Sequence, residues 1–160
     1  MSYEASKFPA YVGSAAKAGK KFLMYVAYDS KWNLVGGLRD TGVEETFDTI
    51  DATSKDDDGY SSSIPGLASW TANASLVVKS GNEGDNIIKS WVRNKEIRDA
   101  VPALKFAYVD TTDNSYQEGF GVVGTYGTEA AHDDLITRSI DITGCGPLVD
   151  KTDFDASSLA

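Results

Sequence analysis

Three groups of residues in this 160-residue chain are of types that chemistry uses. The first is His132, the single histidine, followed directly by Asp133 and Asp134. A nucleophilic triad needs a Ser or Cys against a His that a carboxylate orients. The single cysteine, Cys145, sits in a turn-like Thr143-Gly-Cys-Gly-Pro147 run, and no Gly-x-Ser-x-Gly elbow occurs. One His and one Cys also fall short of a closed zinc site. His132 therefore reads as a residue of an exposed turn and Cys145 as a small apolar filler. The second group is acidic: Ser54, Asp56, Asp58 and Gly59 fit the first half of an EF-hand loop. Where that loop needs its bidentate Glu, this chain has Pro65, and the flanks read as strands. The cluster reads as metal-free, with weak calcium binding as the lesser reading. The third group, Gly119-Phe-Gly-Val-Val-Gly124, matches Gly-x-Gly-x-x-Gly but lies in a strand pattern and opens no helix. Glycines there serve close backbone packing in a strand or bulge. No catalytic residue, resident metal or cofactor is assigned.

The elements that would position these groups are mostly strands. Leu104, Phe106 and Tyr108 alternate on one face of 104–110, and Phe120, Val122 and Tyr126 do so in 117–126. Ile136, Ile140 and Ile142 line a third strand, with Arg138 an outlier on its apolar side, and Ala72, Ala74, Leu76 and Val78 a fourth. Such half-exposed strands predict a mainly β protein, an antiparallel sandwich or barrel. The stretch 21–28 is apolar on both faces, so it needs two dry environments: the core, and either a helix or a neighbouring subunit. One flanking helix is expected over about 85–100, with Asp85 as N-cap, Ile87, Ile88, Trp91 and Val92 inward, and Pro102 beyond its end. A long polar loop is expected over about 51–69, because loops of that length are usually functional or disordered. The N-terminal arm (about 1–19) and C-terminal tail (about 147–160) lack periodicity and flank a single domain.

Bulk composition narrows the function classes. At this length a chain buries about 70% of its unfolded surface, enough for a real core. A net charge of −9 argues against a sequence-specific nucleic-acid reader, which must neutralise phosphates. The charge is segregated: residues 1–39 carry +4, 40–58 carry −7, 79–105 carry +2, and the part from Asp110 carries −8. That pattern concerns solubility and association rather than fold. A lone cysteine excludes an intrachain disulfide and fits a reducing, cytoplasmic assembly site. The apolar run after Lys20 is too short and too late for a signal peptide, and no segment has the apolar length of a membrane span.

The stretch 35–70 carries the most specific pattern. It places a Gly36-Gly37-Leu38-Arg39 turn before an acidic strand, then Ile50-Asp51-Ala-Thr53-Ser54, a Gly59-Tyr60 pair, Pro65-Gly66, and Trp70 opening the next strand. This layout resembles the phage major tail protein (tail tube protein) family of long-tailed siphophages. The likeness extends to 15–26 and to 128–146, which ends in Ile140-Asp-Ile-Thr-Gly-Cys-Gly146.

The resemblance implies a β-sandwich with one flanking helix and a structural, non-enzymatic virion role. Six copies would close into a ring, and rings would stack into a tube around the tape-measure protein, bounded by tail terminator and distal tail proteins. DNA would pass through without specific binding, no membrane would be engaged, and the tail would be assembled in the bacterial host cytoplasm. The 51–69 loop would reach the neighbouring ring, with Asp51, Thr53, Asp56, Asp57, Asp58, Tyr60, Pro65 and Trp70 as its contact residues. Glu44, Glu45 and Asp48 are the lumen-facing candidates, since a wall along which DNA slides should repel phosphates. The competing class is a monomeric β-sandwich module that binds carbohydrate or calcium through the acidic loop and Trp70.

Overall fold

A computed structural model describes residues 3–7, 22–55, 59–130, 132 and 135–157. Its strands are β1 (Phe22–Tyr28), β2 (Lys31–Leu34), β3 (Leu38–Asp51), β4 (Ser63–Val77), β5 (Leu104–Asp110), β6 (Ser115–Ala130) and β7 (Ile136–Lys151). They form one seven-stranded sheet in the order β2-β1-β5-β6-β7-β4-β3, and every neighbouring pair is antiparallel. The mainly β, antiparallel expectation holds. The sheet also curls: β1 touches β3 although most of the sheet separates them in the hydrogen-bonding order. Curling lets one sheet enclose its own core, and this gives the barrel-like character.

The main core lies on the concave face. Met24 and Val26 of β1, Phe106 and Tyr108 of β5, Leu76 of β4 and Ile140 of β7 are fully buried there. Between β4 and β5 in the chain comes a helix, α1 (Glu83–Arg93), which closes this face with Ile88 and Trp91. A second short helix, α2 (Lys95–Ala100), follows. The expected single helix is thus two. Asn94 takes an extended backbone and its side chain accepts from the Glu96 amide at 2.9 Å, capping α2 and ending α1. The N-cap of α1 is Asn82, not Asp85. Asn82 accepts from the Asp85 amide and holds Gly36 by two hydrogen bonds of 3.0 and 2.8 Å, tying the helix start to the β2–β3 turn. Among the described residues no helix is long and apolar enough to cross a membrane.

The two-faced strand β1 finds its second dry environment within its own chain. Beyond β7, Phe154 folds back over Tyr25, Trp32 and Tyr116, with ring centroids 4.7, 6.1 and 5.1 Å apart. Together with Ala107, Val109 and Ala156 these side chains make a second cluster on the convex face. So the segment from Pro147, expected as a tail, continues β7 to Lys151 and then covers apolar surface. Of the expected N-terminal arm, residues 1–2 and 8–19 lie outside the described residues; Ala5–Lys7 form a 3-10 turn.

Candidate functional site

The hairpin β3–β4 is the feature that the fold does not need for its own closure. Its inner half belongs to the sheet, because β4 pairs with β7 over residues 71–77. Among the described residues its outer half, 46–51 against 63–69, pairs only with itself. An isolated two-stranded ribbon is marginal in water, yet this one exposes Phe47, Ile50, Ile64 and Leu67, the last at 80%. Ile50 pairs directly with Ile64, and a bulge between Phe47 and Thr49 shifts the register beside them. A ribbon with exposed apolar side chains of this size marks a contact surface.

The tip of the ribbon is tied by short polar bonds. Asp51 accepts from the Thr53 amide at 2.9 Å and from its hydroxyl at 2.6 Å, and the Thr53 hydroxyl accepts from the Ser62 amide. These bonds, the hydroxyl first, hold the Asp51 carboxyl below the usual carboxylate range. The connection is shorter than expected: β3 runs to Asp51 and β4 begins at Ser63, so 63–69 is strand. Pro65 accordingly pairs with Thr49 as a strand residue, which a proline tolerates on a ladder position that needs no donor. Tyr60 is exposed at the tip. Asp56, Asp57 and Asp58 lie outside the described residues.

Trp70 is not a contact residue. It is buried in the core at 2% exposure, and its indole N–H donates to the Gly146 carbonyl at 3.1 Å. The ring lies over a track of glycines: a Cβ at Gly144 would collide with the indole, and one at Gly119 would stand 3.0 Å from it. Beyond the track it meets the Tyr108 ring edge-on at 6.2 Å. The glycine motif of β6 is therefore room for a tryptophan, not a phosphate cradle. Phe120, expected inward, stands half exposed on the other face, opposite Lys105, because Gly119 and Gly121 take the core face against Trp70; a register shift between Val123 and Thr125 then brings Tyr126 to the core side. Ile136, at the start of β7, is likewise 46% exposed.

The acidic candidates divide by the pleat. Glu44 pairs with Thr71 and Glu45 with Trp70, so consecutive side chains point to opposite faces. Glu44 joins Gly42, Thr71, Asn73, Asp141 and Thr143 around a shallow polar depression of about 410 Å³ on the convex face. Asp48 lies beside the bulge, against Gly66.

The outlying Arg138 has a defined place. Its guanidinium forms an ion pair with Asp85, lies 4.6 Å over the Tyr126 ring and donates to the Thr128 hydroxyl. Tyr126 donates to Asp85 at 2.9 Å. Burial, then this bond, pushes the Tyr126 phenol up. The network welds α1 to β6 and β7. His132 is exposed in the β6–β7 turn, and Cys145 is exposed on β7 rather than filling the core. Among the described residues no group of three His, Cys, Asp or Glu could hold a metal. Sequence reasoning gave no role to Phe47, Ile50 or Phe154. Large apolar residues inside acidic, polar stretches were the available signal.

Comparisons with known proteins bear on this arrangement. The profile of a family described as phage tail tube protein matches residues 16–150. No curated protein matches by sequence. A chain in the virion of a native gene transfer agent (GTA) particle superposes with a TM-score of 0.72 at 18% identity, covering 86% of this chain and 100% of that one. A chain of the tail of an empty GTA particle, refined with C6 symmetry, gives 0.72 at 15% identity over 86% and 100%. The SPP1 tail tube gives 0.71 at 17% identity over 88% and 82%. At such identities these likenesses establish the shared fold.

Proposed function

Because this chain belongs to the phage tail tube protein family, a structural and non-enzymatic component of the virion tail, we propose that six copies close into a ring and that rings stack into the tube. The observation that carries the reading is the family match over 16–150 together with a ribbon whose apolar side chains have no cover among the described residues. The C6 symmetry of the GTA tail, whose chain shares this fold, supports six as the number. In this reading the ribbon, with Asp51, Thr53, Tyr60 and Pro65, meets the neighbouring ring. Asp56, Asp57 and Asp58 are assigned to the same contact from their place in the connection. Glu44, on the polar convex face, looks into the lumen, where carboxylates keep DNA phosphates from adhering. The tube encloses a tape-measure protein, ends on terminator and distal tail proteins, and is assembled in the host cytoplasm. A calcium or glycan module is less favoured: Trp70 is core, and Pro65 sits in a strand where a ligating carboxylate is needed.

Negative-stain electron microscopy over a concentration series tests this. Six-fold rings or hollow filaments are expected. Compact single particles at every concentration, even with pre-assembled tail tips as seeds, would sink the reading.

A further inference from the structure

The antiparallel order fixes which parts of the chain share an end. β1 and β4 run in the same direction, and β5 starts where β1 finishes. Tyr28, Leu104 and the helices that follow Val77 therefore gather at one end of the strands, and the ribbon projects from the other. From Leu67 to Val77, β4 alone spans about 33 Å. At the helical end an apolar groove of about 450 Å³ opens between α1, α2 and β1, lined by Tyr28, Ile87, Trp91, Ile97, Val101 and Leu104. Trp91 and Leu104 make its buried floor. The Trp91 indole N–H already donates to the Val101 carbonyl at 2.7 Å, so that donor needs no water. Tyr28, Ile97 and Val101 stand exposed at the lip. None of the residues of α2 is buried among those described, and a six-residue helix has little stability of its own in water.

We propose that this groove receives the ribbon of a second copy, with Leu67, the most exposed of the ribbon's large apolar side chains, entering between Ile97 and Val101. The inference rests on the tube reading for the ribbon's role and adds the surface that the ribbon meets. Apolar side chains without cover stand at one end of the chain and an apolar groove without an occupant at the other, each among the described residues. A strand's length separates them, so a chain cannot fill its own groove, whereas a copy displaced along the strands can. Such a contact is head-to-tail and repeats as a stack. Charge agrees with it. Besides the paired Asp85 and the Lys95–Asp99 pair, the two helices carry Lys89, Arg93 and Arg98 against Glu83 and Glu96. The ribbon strands, 46–51 and 63–69, carry Asp48 and Asp51 and no base. Those signs favour ribbon against helices over ribbon against ribbon.

Cross-linking between full chains tests the contact, with Cys145→Ser removing the native exposed thiol. A chain carrying Leu67→Cys is mixed with one carrying Ile97→Cys, treated with a bis-maleimide and read on a denaturing gel. The mixture should give joined pairs at several times the yield of either chain alone. No excess over the single chains at any concentration up to about 1 mM overturns the proposal. Ile97→Asp, at an exposed position, should raise the concentration at which sedimentation velocity detects association by about tenfold. A folded Ile97→Asp protein that associates like the parent overturns the proposal as well. Electron microscopy of the same samples separates this contact from the tube reading. Joined pairs without rings or filaments fail the tube and keep the groove; rings or filaments without joined pairs fail the groove alone.

Discussion

Single residues here do work that composition hides. Trp70 fills space that Gly144 and Gly119 leave open, so Trp70→Ala should cost about 3–5 kcal/mol in chemical denaturation. Gly144→Ala should destabilise comparably in kind, because its Cβ meets the indole. Arg138→Ala would strand the buried Asp85 carboxylate, an expected loss of about 3–5 kcal/mol in the same measurement. The phenols of Tyr126 and Tyr108 are both raised, the latter by burial alone. Above pH ~10 the unfolded chain gives up those protons while the folded one keeps them, so stability falls as pH rises. Unfolding midpoints at pH 9, 10 and 11 should decline, and Tyr126→Phe should flatten the decline. At this scale the sequence was legible where a pattern was broken. Arg138 was marked as an outlier among isoleucines, but its partner Asp85 lies 53 positions away and no spacing rule joins them.

At the level of elements, periodicity read β5 to the residue and β1 to within one, because each is short and apolar. It failed on β6, where the core face of the first half is held by Gly119 and Gly121 and a register shift at Gly124 changes which residues share a face after it. It also read residues 63–69 as loop, since Pro65 and Gly66 are turn formers and only the pairing with β3 makes them strand. The site was partly legible for the same reason: its acids stood out, but the exposure of Phe47 and Ile50 depends on where β7 stops supporting β4. The ribbon's side chains touch little of their own fold, so Ile50→Ser with Ile64→Ser should leave the thermal midpoint nearly unchanged. Rings or filaments should be lost under the microscope. Unaltered assembly of that double variant would remove the ribbon from the interface.

For the whole molecule, the segregation of charge becomes a statement about edges. Five acids of the acidic block, Asp40, Glu44, Glu45, Asp48 and Asp51, fall on β3, which is an edge strand of the sheet. Replacing Asp56, Asp57 and Asp58 with Ser should change assembly and weaken its dependence on salt while the circular dichroism spectrum stays the same. Light scattering against sodium chloride concentration reads this directly, and identical curves would show that electrostatics plays no part. The curl of the sheet has a different kind of consequence. One indole reaches from β4 across β7 and β6 to the tyrosine of β5, resting on backbone that carries no side chains. It acts as a gusset in the bend. The angle between the two outer strands is then set in part by the thickness of a single aromatic ring, and in the ring proposed above that angle bears on how many copies complete the circle.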